Sequence, residues 1–192
     1  MKKPIKAVLV AASPSPESRS TWVLHQVGNR LHGLGVAIDY VSLADFDAAD
    51  LLWARTTRTS IQRFLDKVRE ASALIVSTPV YKATYSGGLK AIIDIIDPTE
   101  LAGKVLLGIA TTRFEDHAVT VSEGFTRLGE FFSGSLSLAT IVVQDYQLGV
   151  PGAFVIPSAA NIAIDEAVAI IAGHALEPQQ VTIKRRQQES TQ

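Results

Sequence analysis

Three segments of the chain place hydroxyl, basic and aromatic side chains directly after an apolar run. They are ASPSPESRST at residues 12–21, TPVYKATYSGG at residues 78–88 and ATTRFEDHAV at residues 110–119. The chain contains no cysteine, which excludes disulfides, thiolate catalysis and cysteine-ligated metals. No catalytic triad or pair of carboxylates stands out beside these segments. The chemistry that their residue types favour is the binding of an anionic, planar ligand.

The first segment has the composition of a phosphate cradle. It precedes a helical pattern that starts near Trp22, and a helix N-terminus offers free N–H groups and a positive dipole end to anions. Arg19 would add a charged clamp. Ordinary N-capping by Ser18 or Ser20 explains the same hydroxyls equally well. The segment is neither a GxGxxG nor a Walker A loop, which disfavours a Rossmann dehydrogenase or a P-loop hydrolase. Its hydroxyls are those of Ser13, Ser15, Ser18, Ser20 and Thr21.

The second segment favours contact with a flat heterocycle. After Pro79 the backbone continues along the top of the predicted sheet, where its amides can meet a ring edge, and Tyr81 or Tyr85 supplies an aromatic wall. The small residues at 86–88 permit close backbone approach. The simpler alternative is a strand-to-helix turn with one exposed tyrosine. The backbone candidates are Pro79, Val80, Tyr81 and Lys82, with Ser86 nearby.

The third segment would contact the same ligand from its other side, through Thr111, Thr112 and Arg113. The acidic residues and His117 that follow also suggest a catalytic or metal site. We disfavour that interpretation because there is no HExxH pattern and the other histidines are scattered. Acidic residues at a helix start are favourable on dipole grounds alone.

Composition favours one cytoplasmic domain. The chain has 192 residues, enough for one sizeable core, and its formal net charge of −1 argues against a nucleic-acid or polybasic membrane surface. The apolar run at residues 7–12 is too short for a signal peptide, and no run is long enough for a transmembrane helix. We expect a single domain at residues 1–178 and a polar tail at residues 179–192.

Runs of Val, Ile and Leu without strict alternation predict strands buried on both faces. They lie at residues 5–11, 36–43, 73–78, 104–111 and 137–143. Helical spacing is found at residues 22–34, 60–71, 88–96, 117–132 and 159–176. The alternation predicts a flavodoxin-like, doubly wound α/β fold, with a five-stranded parallel sheet in the order 2-1-3-4-5 and helices on both faces. Ligands bind such sheets at the carboxyl ends of the strands, which is where the three polar segments begin.

Three stretches together resemble the NAD(P)H-dependent FMN reductase family, most closely the flavin reductases of two-component alkanesulfonate monooxygenase systems. They are SPSPESRST, DLLWAR at residues 50–55 and LIVSTPVYKATYSGGLKAIID. The resemblance is specific to about residue 111 and looser to about residue 176. It implies that the FMN phosphate lies on Ser13, Ser18, Arg19, Ser20 and Thr21. It also implies that the isoalloxazine is lined by the segment from Pro79 to Lys82, near Ser86.

The chain departs from this family at two places. Members usually carry Gly-Gly where this chain has Thr112-Arg113, a larger pair that would narrow the space over a bound flavin. Alkanesulfonate-type members also carry an inserted tyrosine in the next helix, at a tetramer interface linked to flavin release. The corresponding position here is about Glu123.

The resemblance implies hydride transfer from NADPH or NADH to FMN, with no side-chain acid or base required, and delivery of reduced flavin to a partner monooxygenase. A homodimer or homotetramer is expected. The alternatives are an FMN-bound quinone, azo or chromate reductase and a flavodoxin-like electron carrier. Such carriers are usually strongly acidic, which this chain is not.

Overall fold

The structure is a computed structural model that describes residues 5–15, 17–132, 135–150 and 152–174. The predicted apolar runs form its strands. In chain order the strands are β1 (Lys6–Ala11), β2 (Ala37–Ser42), β3 (Ala73–Tyr81), β4 (Thr84–Tyr85), β5 (Val105–Thr112), β6 (Leu136–Ser137) and β7 (Ile141–Gln144). The parallel sheet runs β2-β1-β3-β5, and both β6 and β7 pair with the outer edge of β5. This arrangement confirms the flavodoxin-like fold, although the sheet has seven strand segments where five were predicted.

Helices cover both faces of the sheet. They are α1 (Arg19–Gly33), α2 (Ala48–Leu52), α3 (Thr59–Glu70), α4 (Gly87–Asp94), α5 (Asp116–Phe131) and α6 (Ser158–His174). The long helices lie within a few residues of their predicted positions, whereas the short α2 was not predicted. The predicted tail and the last two residues of the predicted final helix lie outside the described residues.

Alternate residues of each strand point into two separate cores. Val8 and Val76 pack with α3, α4 and α5, whereas Leu9 and Ile75 pack with α1 and α6. Because both sides are covered, the strands read as continuous apolar runs. Burial of each large apolar side chain, such as Phe64 at 2% exposure, contributes about 1.5–3 kcal/mol relative to leaving it in water. This rigid sheet fixes the relative positions of the loops at its carboxyl edge.

The fifth predicted strand is interrupted by one extra residue. Leu136 pairs with Val105, and Ile141 pairs with Ile109, so five steps along this chain match four along β5. Such an insertion is a β-bulge, which breaks the ladder and bends the strand. The strand therefore divides into β6 and β7, and β7 ends beside the carboxyl end of β5.

A hairpin that the sequence did not predict extends β3. Val80 pairs with Tyr85 and Tyr81 pairs with Thr84, in antiparallel register. The two residues between, Lys82 and Ala83, have φ of 52° and 66°. Two successive positive φ values are the conformation of a tight hairpin turn, which usually selects Asn or Gly. The turn therefore holds two ordinary residues in the left-handed region, at a cost of about 1–2 kcal/mol each.

No helix among the described residues is long and apolar enough to cross a membrane.

Candidate functional site

The carboxyl ends of the parallel strands open into one cleft of about 810 Å³. All the predicted site residues line it except Ser20, Thr21 and Ser86. The lining consists of Ser13, Ser15, Glu17, Ser18, Arg19, Pro79, Val80, Tyr81, Lys82, Thr111, Thr112, Arg113, Phe114, His117 and Asp145. In doubly wound sheets, ligands bind at the carboxyl ends of the strands where the strand order reverses, which is the switch-point rule. The strand order thus brings the three polar segments of the sequence together in space at that point.

The β1–α1 loop forms one wall of the cleft and ends at the N-terminus of α1. Ser18 is the N-cap: its Oγ accepts the backbone N–H of Thr21 at 3.4 Å. The Ser18 and Ser20 hydroxyls lie 2.8 Å apart. Ser20 is fully buried behind this wall, and Thr21 opens instead to a neighbouring groove lined by His25 and Tyr40. Capping by Ser18 therefore accompanies a helix N-terminus that faces the cleft.

Arg19 lies at the base of this wall with an unsatisfied donor. Its Nε is buried and has no hydrogen-bond partner among the described residues. Its guanidinium lies 5.8 Å from the centre of the Phe154 ring, which shields one side of it. A buried N–H without an acceptor costs about 1–3 kcal/mol, so a ligand oxygen at this point would be favourable.

The β3–β4 hairpin forms the opposite wall. Tyr81 is 48% exposed and lines the cleft, whereas the Tyr85 ring packs against that of Phe125 at 5.7 Å between centroids. Of the two tyrosines proposed as the aromatic wall, Tyr81 is the one in position. The strained turn at Lys82 and Ala83 sets its direction. Strain of this kind concentrates at ligand sites.

Ser86 does not line the cleft but is buried beneath it, where it connects two loops. It is 2% exposed, and its Oγ donates to the carbonyl of Ala12 at 2.7 Å. The same Oγ caps α4 by accepting the N–H of Leu89 at 3.1 Å, while its own N–H donates to Thr78 Oγ1 at 2.9 Å. Ser86 therefore ties the end of β1 to the start of α4 and supports the wall that the β1–α1 loop forms.

The segment after β5 is folded by Thr112. Its Oγ1 donates to the carbonyl of Phe114 at 3.1 Å and accepts the Phe114 N–H at 3.2 Å. Thr112 and Thr111 are buried, so only a small part of each side chain is exposed on the floor of the cleft. The small loop directs Arg113 outward, with its side chain 79% exposed.

Asp145, which immediately follows β7, completes the cleft and was not predicted as a site residue. Its Oδ2 lies 3.8 Å from Arg19 Nη1 and 3.7 Å from Arg113 Nε. Its side chain is only 21% exposed. One carboxylate thus joins the arginines of two different loops. Inspection of the loop after the last strand, alongside the other three, is the signal that would have found it.

Glu123, at the second departure from the family, lies away from this cleft. It is exposed on α5 beside Ser122 and Arg127, in a groove that reaches β7. Its carboxylate faces solvent within the described chain. Glu123 is therefore not among the residues that line the cleft.

Comparisons with known proteins identify the family of this chain. A family model described as NADPH-dependent FMN reductase matches residues 5–154. An FMN reductase (NADPH) of Escherichia coli is 38% identical over 117 residues, which cover 61% of each chain. An FMN reductase (NADPH) of Pseudomonas putida is 36% identical over 141 residues, covering 73% of this chain and 72% of the relative.

Among solved structures, the apo form of the NADH:FMN oxidoreductase EmoB superposes with a TM-score of 0.78 at 22% identity, covering 88% of each chain. At that identity the likeness supports the fold alone. The family model, which spans most of the chain and all the loops of the cleft, supports more. The chain belongs to the NADPH-dependent FMN reductase family.

Proposed function

We propose that this protein is an NAD(P)H-dependent FMN reductase that binds both of its nucleotides in the cleft at the carboxyl edge of the sheet. The observation that carries the proposal is that one cleft is lined by a helix N-terminus, by an arginine whose Nε–H has no acceptor among the described residues and by an exposed tyrosine. The two relatives named above are FMN reductases, and the matching family model covers every loop of the cleft.

The fit of FMN to the residues present can be argued group by group. The phosphate needs several N–H donors and a positive charge, which the N-terminus of α1 and Arg19 supply. The isoalloxazine needs a flat, partly apolar surface, which Tyr81 and the backbone from Pro79 supply. The cleft volume of about 810 Å³ lies within the range of roughly 300–1,000 Å³ that small-molecule sites usually have.

In this proposal the protein binds and orients while the flavin supplies the reactivity. Bound FMN provides an N5 atom that can accept a hydride from C4 of a nicotinamide. Arg19 and the α1 N-terminus hold the phosphate end, the Tyr81 hairpin covers the ring end, and the Thr112 loop limits the space beside it. Holding two reactants in register is sufficient to accelerate such a transfer. No acid or base at the cleft is required.

The first experiment follows nicotinamide absorbance in a cuvette containing ligand-free protein. NADPH and NADH are each added with and without FMN. Oxidation that depends on FMN and saturates with it supports the proposal and gives the nicotinamide preference. A protein that retains its flavin and oxidises NAD(P)H only when a quinone is added would instead be an acceptor reductase. FMN binding without any oxidation would indicate an electron carrier.

A matched pair of variants tests the placement of the phosphate. Arg19→Gln should weaken FMN binding by about tenfold or more, because a charge-assisted hydrogen bond is worth about 1.5–3 kcal/mol. Riboflavin, which has no phosphate, should be affected much less. Arg63→Gln on the exposed face of α3 removes the same charge far from the cleft and should change neither. Equal losses for FMN and riboflavin would contradict a phosphate site at Arg19.

Two wider parts of the proposal rest on the family resemblance. The reduced flavin would pass to a partner monooxygenase in the cytoplasm, and the chain would assemble as a homodimer or homotetramer. Val119 and Phe131 on α5, which are 62% and 66% exposed, offer apolar surface for such an assembly. Light scattering after gel filtration gives the mass in solution, and a monomer at micromolar concentration would contradict the assembly.

A further inference from the structure

We propose that Asp145 is a specificity-determining residue, a counter-ion shared by Arg19 and Arg113 that sets how strongly the cleft attracts phosphate-bearing ligands. The inference rests on the proposed function for the identity of the ligand. It concerns a residue outside the three stretches of sequence that carry the family resemblance. Its basis is the position of one carboxylate between two arginines.

The two ion pairs are close enough to attract but too long to be hydrogen bonds. The distances of 3.8 Å and 3.7 Å converge on the same oxygen, Oδ2. Neither arginine therefore donates an N–H to Asp145, and the Nε of Arg19 remains buried without an acceptor. The carboxylate neutralises the arginines electrostatically while leaving their donors free. A phosphate oxygen can satisfy those donors without first breaking a hydrogen bond.

The charge balance of the cleft depends strongly on the Asp145 carboxylate. Its lining contains three permanent cations, Arg19, Lys82 and Arg113, against two carboxylates, Glu17 and Asp145. Asp145 is the one that pairs with the arginines, and its low exposure reduces the screening of its field by water. Lys82 forms no ion pair with any residue in the described part of the chain. Loss of the Asp145 charge would leave both arginines available to an incoming anion.

The two arginines differ in exposure to solvent. Arg19 is held in the first turn of α1 with its side chain 33% exposed, whereas Arg113 extends from a loop with its side chain 79% exposed. Asp145 thus lies between an exposed outer cation and a more buried inner one. When a phosphate binds at the inner cation, its negative charge and that of Asp145 compete for the same two partners. Asp145 accordingly lowers the affinity for phosphate and favours release of a phosphorylated ligand.

The test compares FMN with riboflavin, which share the ring and differ in the phosphate. Dissociation constants are measured by quenching of flavin fluorescence for wild type, Asp145→Asn and the control Asp165→Asn. Asp165 pairs with Arg30 at 2.7 Å on α6 and lies outside the cleft lining, so the control makes the same change in net charge. For a phosphate about 7 Å from the Asp145 carboxylate, at an effective dielectric constant of about 40, removal of that charge would raise the affinity roughly sevenfold.

The expected result is that Asp145→Asn binds FMN about three- to tenfold more tightly, with riboflavin affinity unchanged, and that the gain shrinks at high salt. A matching gain in Asp165→Asn, an equal change for both flavins, or weaker FMN binding would each overturn the proposal. Arg113→Gln should weaken FMN binding, and the double variant Asp145→Asn with Arg113→Gln should return close to wild type. Wild-type protein that binds neither flavin would overturn the proposed function together with this inference.

Discussion

Replacement of Ser86 by alanine tests whether this residue supports the site or contacts the ligand. The Ser86 hydroxyl donates to the Ala12 carbonyl at 2.7 Å and caps α4 by accepting the Leu89 N–H at 3.1 Å. Loss of a helix cap costs about 1 kcal/mol. A buried carbonyl left without its donor costs about 1–3 kcal/mol more. We therefore expect Ser86→Ala to lower the free energy of unfolding by about 2–4 kcal/mol.

The assay is urea denaturation followed by circular dichroism, with the unfolding midpoint in heat as a second measure. For a chain of this size, a loss of about 3 kcal/mol lowers the melting temperature by roughly 6–12 °C. Ser42→Ala is the control, because Ser42 caps only a single exposed turn through Ala44 N–H at 3.2 Å. It should cost less than about 1 kcal/mol.

The folded Ser86→Ala protein should still bind FMN, because Ser86 does not line the cleft. The reasoning is refuted by the opposite pattern, in which stability changes by less than about 0.5 kcal/mol while FMN binding is lost. That outcome would place the hydroxyl on the ligand, as the family resemblance implied. A loss of both properties in proportion to the unfolded fraction would agree with the supporting role.

Three further predictions concern backbone freedom and pH. Ala83→Gly relieves a left-handed residue and should stabilise the protein by about 0.5–1 kcal/mol in urea melts; destabilisation would contradict the strain. Gly28→Ala should cost about 2 kcal/mol or more, because the new Cβ would lie 2.0 Å from a tyrosine hydroxyl, whereas Gly33→Ala in the same helix meets nothing within 4 Å and should be neutral or stabilising. The hydroxyl and N–H of Thr99 lower the pKa of Asp97 below 3.8. The stabilisation from this cap is therefore present above that pH and is lost as the pH falls through the lowered pKa. Thr99→Val should raise the pKa towards 3.8 in an NMR titration, and no change would contradict the assignment.

The strands were predictable because burial on both faces leaves a plain signal in the sequence. Val8 and Leu9 enter different cores, yet both must be apolar, so the whole run is apolar. The bulge between β6 and β7 was not predictable, since a one-residue insertion changes register without changing composition. The hairpin turn was also missed, because Lys82 and Ala83 are not residues that a left-handed turn selects.

The aromatic side chains towards the end of α5 lie in two different environments. Phe125 and the C-cap residue Phe132 are buried against the sheet, whereas Phe131 is 66% exposed. Residue type alone could not separate the buried from the exposed aromatic side chains. A helix that covers a sheet with one face and exposes a second apolar face carries large apolar residues on both. The separation depends on the rotation of α5 about its axis. Contacts such as that of Phe125 with the Tyr85 ring fix this rotation.

The position of Asp145 shows why loop chemistry predicted most of the cleft and still missed its charge balance. The switch-point rule points to the strands around the reversal of order, and it identified the loops that carry Arg19 and Arg113. It says nothing of the edge strand, whose carboxyl end is ordinarily remote from that point. Here α1 crosses the sheet and contacts both β3 and β5. Arg19 in its first turn therefore comes within reach of Asp145 after β7. A charge that follows the edge strand β7 can therefore lie beside an arginine that follows β1, although β3 and β5 separate those two strands in the sheet.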